Sequence, residues 1–109
     1  SGLMSNDDAL AQKVEAAAKS AGELMWRMPL PEEYKELIKT DIADYKNDAP
    51  RWGGSLTAGL LLQEFVNDIP WVHLDIAGPA FAEKPVNAYT RKGGTGHAVR
   101  TLLEYLRAL

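Results

Sequence analysis

The sequence predicts an α/β fold, a fragment of a mixed sheet flanked by helices, with two or three strands and four helices. Three observations carry this. Residues 71–78 read Trp-Val-His-Leu-Asp-Ile-Ala-Gly, and at a two-residue period Val72, Leu74 and Ile76 share one face while Trp71, His73, Asp75 and Ala77 share the other. Both faces carry large or hydrogen-bonding groups, as expected of a strand covered on both sides. The patterned segments run strand, helix, helix, helix, strand, helix, an order that favours α/β over a pure bundle. Gly78-Pro79-Ala80-Phe81 then stops the strand and turns the chain. Open α/β sheets place ligands at such carboxyl ends, so residues 77–81 are the first candidate site.

Taken in order, residues 2–5 form a short strand around Leu3 and Met4. Ser5 or Asn6 is expected to cap the next helix, with Asp7 and Asp8 in a first turn whose dipole favours negative charge. Leu10, Val14, Ala17, Ala18 and Ala21 make its narrow apolar stripe, and Gly22 ends it. Glu23 to Leu30 fits two patterns: Leu24, Trp26, Met28 and Leu30 alternate as in a strand, whereas Leu24, Met25 and Met28 fit a helical stripe. The reading taken is a short helical continuation followed by extended Met28-Pro29-Leu30. Pro31 at the first helical position, with Glu32 and Glu33 behind it, opens a helix whose inner face is Tyr34, Leu37 and Ile38.

Residues 41–54 are the longest irregular stretch, with Ile42, Tyr45 and Trp52 as apolar anchors; loops of this length are usually functional or touch a partner. From Ser55 to Val66, apolar residues surround nearly the whole of a helix, which must therefore be covered on most sides, and Ala58 and Gly59 allow close approach of another backbone. After the 71–78 strand, residues 83–91 form a surface loop. Gly93-Gly94-Thr95-Gly96 precedes a helix with Val99, Leu102, Leu103 and Leu106 at one-face spacing and Arg100, Glu104 and Arg107 on its wet side.

Composition bounds the function. A chain of 109 residues fits one domain or a piece of one. An apolar fraction of 46% and a charged fraction of 25% are ordinary for a globular chain. A net charge of -3 leaves no footprint for nucleic acid or an acidic membrane. The absence of cysteine removes disulfides and thiolate zinc sites. With no bilayer-length apolar run and no secretory signal, a cytoplasmic protein is expected. Ser1 in place of an initiator methionine, followed at once by apolar Leu3 and Met4, reads as an internal cut.

No candidate constellation completes a catalytic set. His73 and Asp75 share a face and offer two metal ligands, but His97 is the only other histidine, so a histidine oriented by hydrogen bonds in a packed face is the better reading. Asp41, Asp44 and Asp48 lack the dense alternation and terminal glutamate of a calcium loop and read as solvated charge. Lys92-Gly93-Gly94-Thr95-Gly96 has the look of an anion cradle but lacks the Lys-Ser/Thr pair of a Walker loop. A tight turn with Thr95 capping the helix is preferred. No serine sits in a nucleophile elbow and no cysteine is available as a nucleophile. The three tryptophans are scattered without interleaved basic residues and read as core or interface anchors.

Several segments together resemble the carboxy-terminal part of the leucyl aminopeptidases, or cytosol aminopeptidases. They are Gly2-Leu3-Met4-Ser5-Asn6; Gly22 to Leu30; Ala43-Asp44 with Asn47; Gly53 to Ala58; Trp71 to Gly78; and Arg91 to Gly96 with Val99-Arg100. The likeness covers nearly the whole chain, and Trp-x-His-Leu-Asp-Ile-Ala-Gly is its most specific string. It implies that residues 1–109 are an incomplete domain, the carboxy-terminal part of an aminopeptidase catalytic domain. The parent would be an exopeptidase acting on peptides with two divalent metal ions, zinc or manganese, assembled as a homohexamer. The paired ions would activate a bridging water and polarise the scissile carbonyl. In the family the ligands and the catalytic lysine and arginine belong to a lysine-and-aspartate segment and an Asn-Thr-Asp-Ala-Glu-Gly-Arg motif, and neither occurs here. The resemblance thus implies no catalytic residue and no metal ligand in this chain, which alone is expected to be inactive and to bind no ion pair. It implies a substrate-pocket wall at Ala77, Gly78 and Ala80, where a small Ala80 leaves room for a larger side chain. The rival reading is a non-catalytic interaction module whose apolar helix at 55–67 forms an oligomer contact.

Overall fold

A computed structural model describes residues 1–109. Its centre is β1 (Gly2–Ser5), which pairs in parallel with β2 (Trp26–Arg27) and antiparallel with β3 (Val72–Asp75). The sheet is mixed, in the order β2-β1-β3. Leu3 lies opposite Leu74 and Met4 opposite His73, so the period-two pattern sets two faces. On one face Leu3, Val72 and Leu74 meet Ala11 and Val14 of α1 (Asp8–Ala21). On the other, Met4 and His73 meet Gly59 of α2 (Gly54–Gln63). A Cβ added at Gly59 would lie 2.7 Å from Met4 Sδ and 3.2 Å from Leu30 Cδ2, so this glycine is the point of close approach, whereas Ala58 is exposed. A 3₁₀ helix (Glu32–Ile38) packs beside α2, and α3 (Val99–Arg107) packs on α1. Two-residue strands β4 (Phe81–Ala82) and β5 (Gly93–Gly94) form a separate antiparallel pair. Helices on both faces of a mixed sheet, three of them α and one 3₁₀, give the α/β class read from the sequence.

Local chemistry differs from expectation at several points. The cap of α1 is Asp7, whose Oδ1 accepts from Leu10 N at 2.6 Å. Ser5 and Asn6 are engaged elsewhere: the Ser5 hydroxyl donates to Trp71 O at 2.6 Å, and Asn6 binds Trp71 N at 2.8 Å and Ile69 O at 3.0 Å. Gly22, at φ 70°, ends α1 outright, so no helix continues into residues 23–30. The open edge of β1 takes that segment instead, with Trp26 N donating to Ser1 O at 2.9 Å and Met28 N to Leu3 O at 2.8 Å. Pro31 precedes the next helix in extended conformation, and that helix is 3₁₀, with only Ile38 fully buried.

Helix α2 ends at Gln63, earlier than the apolar run, and buries Thr57, Gly59 and Leu60 while Leu62 and Phe65 remain exposed. In the 41–53 stretch Ile42 and Trp52 are exposed and anchor nothing, and Asp41, Asp44 and Asp48 face solvent. The largest reversal is in α3, where Val99, Leu102, Leu103 and Leu106 are exposed and the helix meets the body through Ala98, Thr101 and Tyr105. Strand β3 is at the sheet edge and only half-buried along its length. Extents of 50 × 34 × 18 Å and a radius of gyration of 15.5 Å exceed the roughly 13 Å of a compact domain of this length. The chain forms a thin slab with apolar surface on several sides.

One loop anchor does hold. The Tyr45 hydroxyl donates to Glu64 Oε2 at 2.8 Å, Tyr45 meets Phe65 edge-on at 6.1 Å, and Lys35 Nζ reaches Glu64 Oε1 at 2.8 Å. Glu64 thus joins the 3₁₀ helix, the loop and the end of α2. Lys35 first, then the Tyr45 hydroxyl, hold its carboxyl below the usual 4.5. A depressed carboxyl contributes stability above its unfolded value and loses it as pH falls through the folded one. Lys35 is raised above 10.5 by Glu64 first and then Glu32, so its contribution is present below that value and lost as pH rises through the raised one. The staple is therefore intact at neutral pH and weakens towards both extremes. Carbon-13 NMR of the Glu64 carboxyl is expected to show the low titration, and Lys35→Ala to move it back towards 4.5; an unmoved titration contradicts the assignment.

Candidate functional site

The turn after β3 is built almost entirely from backbone. Ala80 N donates to Ile76 O at 2.9 Å, closing it, and Asp75 Oδ1 accepts from Ala77 N at 3.3 Å at its entry. The Ser55 hydroxyl first, then that Ala77 N–H, hold the Asp75 carboxyl below its usual range against the opposing effect of burial. Asp75 thus anchors the entry of the turn through Ala77 N. Ala77 and Gly78 are exposed, Pro79 and Ala80 half-buried, and Phe81 exposed. Beside the turn lies a cavity of about 370 Å³ walled by Gly78, Pro79, Phe81 and Ala82 on one side and by Glu23, Tyr89, Thr95, His97 and Arg100 on the other. Of the three expected pocket-wall residues, Gly78 lines this cavity; Ala77 and Ala80 are its neighbours in the turn but do not line it.

The charged groups here are engaged within the protein, mostly by backbone N–H and neutral side chains. Glu23, 6% exposed, accepts from Ala98 N at 3.1 Å, Thr101 N at 3.0 Å and Thr101 Oγ1 at 2.7 Å. Burial pushes its carboxyl up, but the Thr101 hydroxyl and N–H, the Ala98 N–H and nearby His97 together hold it below its ordinary value. A carboxylate at a helix amino terminus gains from the dipole as well as from the bonds. Arg100 lies 3.6 Å from Glu23 Oε1 and stacks over Tyr89 at 5.1 Å, joining the 83–91 loop to α3. Burial lowers the His97 imidazole despite the opposing pull of Glu23, and its Nε2 is 2.9 Å from Ser1 Oγ.

This arrangement corrects one expectation. Thr95 does not cap α3; the cap position is Ala98, in the left-handed region at φ 73°, and the capping acceptor is Glu23, 75 residues away along the chain. As the preference for a plain turn expects, neither Thr95 nor the start of α3 offers free N–H groups for an anion. The N–H groups of Thr95, His97, Ala98, Val99 and Thr101 are all bonded within the protein, to Ala80 O, Thr95 Oγ1, Glu23, Gly96 O and Glu23 respectively. His73 stacks on Trp71 at 5.9 Å. No three His, Cys, Asp or Glu side chains converge as a metal-binding group, so the donors in this chain do not fit the pair of divalent ions that the resemblance implies. No helix is long and apolar enough to cross a membrane.

A mixed sheet with helices on both faces and a turn built from backbone at the end of β3 define a piece of an α/β scaffold. Comparison with known proteins makes the class particular. The sequence model of the cytosol aminopeptidase family, catalytic domain, matches residues 1–103, and the chain belongs to that family. It is 55% identical over 105 residues to a probable cytosol aminopeptidase of Picosynechococcus sp., covering 96% of this chain and 21% of that protein. It is likewise 55% identical over 106 residues to one from Rippkaea orientalis, covering 97% and 21%. The chain thus spans about a fifth of the length of the curated relatives it matches. Among solved structures, the bottromycin maturation enzyme BotP in complex with Mn superposes with a TM-score of 0.92 at 45% identity, covering 98% of this chain and 24% of that one. A tomato leucine aminopeptidase mutant gives 0.88 at 38% identity, covering 99% and 20%.

Sequence reasoning overlooked Glu23 and misread Thr95. A lone acid between a helix-ending glycine and an apolar segment was the available signal for Glu23, but its partners lie more than 70 residues away.

Proposed function

We propose that residues 1–109 are the carboxy-terminal part of the catalytic domain of a metal-dependent leucyl aminopeptidase that removes amino-terminal residues from peptides. The parent works with two divalent ions, zinc or manganese, as a cytoplasmic homohexamer. This segment supplies sheet core, oligomer surface and, at Ala77, Gly78 and Ala80, part of the wall against the substrate's first side chain. The observation that carries the reading is the family match over residues 1–103, in a chain that spans about a fifth of its relatives' length. The exposed apolar faces of α2 and α3 support it, since a slab of this kind buries such faces against further chain.

The test joins residues 1–109 to the upstream four-fifths of the Picosynechococcus relative, in place of the matching segment, to give a complete enzyme. With manganese it is expected to hydrolyse a leucyl anilide within about tenfold of the parent rate, while the 109-residue chain alone gives no turnover. Turnover by the chain alone, or two ions held tightly within it, refutes the proposal. The same exposed faces favour one second reading, a non-catalytic oligomerisation module. A folded but inactive complete enzyme, together with concentration-dependent self-association of the chain by light scattering, decides for it.

A further inference from the structure

We infer that Thr95 is a positioning residue for the pocket wall, fixing the backbone of Pro79 and Ala80 so that the wall discriminates between large and small first side chains. The inference rests on the placement of Ala77, Gly78 and Ala80 in that wall, as proposed above.

The wall has little else to keep it rigid. Ala77 and Gly78 are exposed, and an added Cβ at Gly78 would meet nothing within 4 Å, so side-chain packing does not fix it. Pro79 has no N–H to give. The turn's own closure is a single bond from Ala80 N to Ile76 O. The adjacent carbonyls of Pro79 and Ala80 are both taken by one residue: the Thr95 hydroxyl donates to Pro79 O at 2.6 Å, and Thr95 N donates to Ala80 O at 3.0 Å. A residue that binds two successive carbonyls constrains both the position and the tilt of the peptide between them.

Thr95 is itself held from both sides. Before it, Gly93 and Gly94 pair with Ala82 and Phe81. After it, His97 N donates back to Thr95 Oγ1 at 3.2 Å, and Ala98 N is fixed by Glu23 at 3.1 Å. The hydroxyl accepts from His97 N and gives its only proton to Pro79 O. Any displacement of the Pro79–Ala80 peptide carries the Ala80 Cβ with it, so the wall's geometry follows Thr95.

The experiment uses the complete enzyme described above, with leucyl and alanyl anilides. Thr95→Val removes the hydroxyl at constant shape, and Thr95→Ala does so without adding a methyl should the first variant fold poorly. Either is expected to shift the leucyl-to-alanyl ratio of kcat/KM by about fivefold, the worth of one buried hydrogen bond. The shift should fall mainly on KM for the leucyl substrate, with kcat changed less than about twofold, and Thr95→Ser should restore the ratio. A parallel Ala80→Leu variant tests the wall itself. A shift with Ala80→Leu but none with Thr95→Val and Thr95→Ala overturns the role of Thr95 alone. No shift with Ala80→Leu overturns the wall assignment and this inference with it. Equal losses on both substrates, with no change in the ratio, also overturn it, because they mark a merely structural residue.

Discussion

Glu23→Ala is expected to release the amino-terminal turn of α3, at a cost of about 3 kcal/mol from losing a carboxylate that three donors share in a buried site. The wild-type carboxylate accepts from two backbone N–H groups and one hydroxyl. Removing it leaves Ala98 N, Thr101 N and the fully buried Thr101 Oγ1 without their acceptor. Ala98 also sits at φ 73°, a conformation that costs an alanine about 1 kcal/mol and is held in place partly by its bond to Glu23. The loss should be local. Amide hydrogen exchange in residues 98–103 of the complete enzyme is expected to accelerate about a hundredfold, the equivalent of that free energy, while β1 and β3 change little. Because the carboxyl is held below its ordinary value, its contribution is present above about pH 4.5 and is lost as pH falls through the folded value. Unchanged exchange at residues 98–103 would show that Arg100 and Tyr105 hold α3 without it.

Leu3→Ala should be the most damaging core substitution, at about 3 kcal/mol within the usual range of 2–5 for a buried leucine cut to alanine. Leu3 is wholly buried in the central strand and is joined in its cluster by Ala11 and Val14, with Leu10, Met25, Val72, Leu74 and Tyr105 around it. The cluster it belongs to draws in residues from both ends of the chain, Leu10 and Tyr105 among them. The small neighbours Ala11 and Val14 sit on a helix and cannot collapse into the void, so most of the cavity cost remains. Only 14 of the 109 residues are buried, so few other contacts offset the loss. Urea unfolding followed by tryptophan fluorescence is expected to show a lower midpoint with an unchanged slope. An unfolding free energy within about 0.5 kcal/mol of wild type, the range of surface changes, would mean that Leu3 is not at the centre of the core.

The resemblance and the two-faced strand were legible because their signals are local. The alternation of Val72, Leu74, His73 and Asp75 gave the faces correctly, and the stripe of α1 appears as buried Ala11, Val14, Ala17 and Ala18. The stop at Gly22 was equally visible, because a left-handed residue after a helix is a backbone preference of glycine. Residues 23–30 went the other way. Their two patterns were equally good locally, and the free edge of β1 chose the extended one. In α3 the stripe Val99, Leu102, Leu103 and Leu106 was read correctly as one face, but its destination was not: the helix meets α1 through Thr101 and Tyr105 and leaves the stripe exposed.

The sequence by itself determined the strand faces, the small-residue stripe of α1, the glycine stop and the family, since each depends on residue identity and short spacing. Tertiary structure alone decided that Asp7 rather than Ser5 caps α1, that Glu23 caps α3, and that Thr95 spans the carbonyls of Pro79 and Ala80. The physical reason is that a short polar side chain bonds whichever unsatisfied donor or acceptor the fold brings within about 3 Å. For Ser5, Glu23 and Thr95 that partner lies 16 to 78 residues away and is set by sheet register and helix packing, which no local pattern encodes.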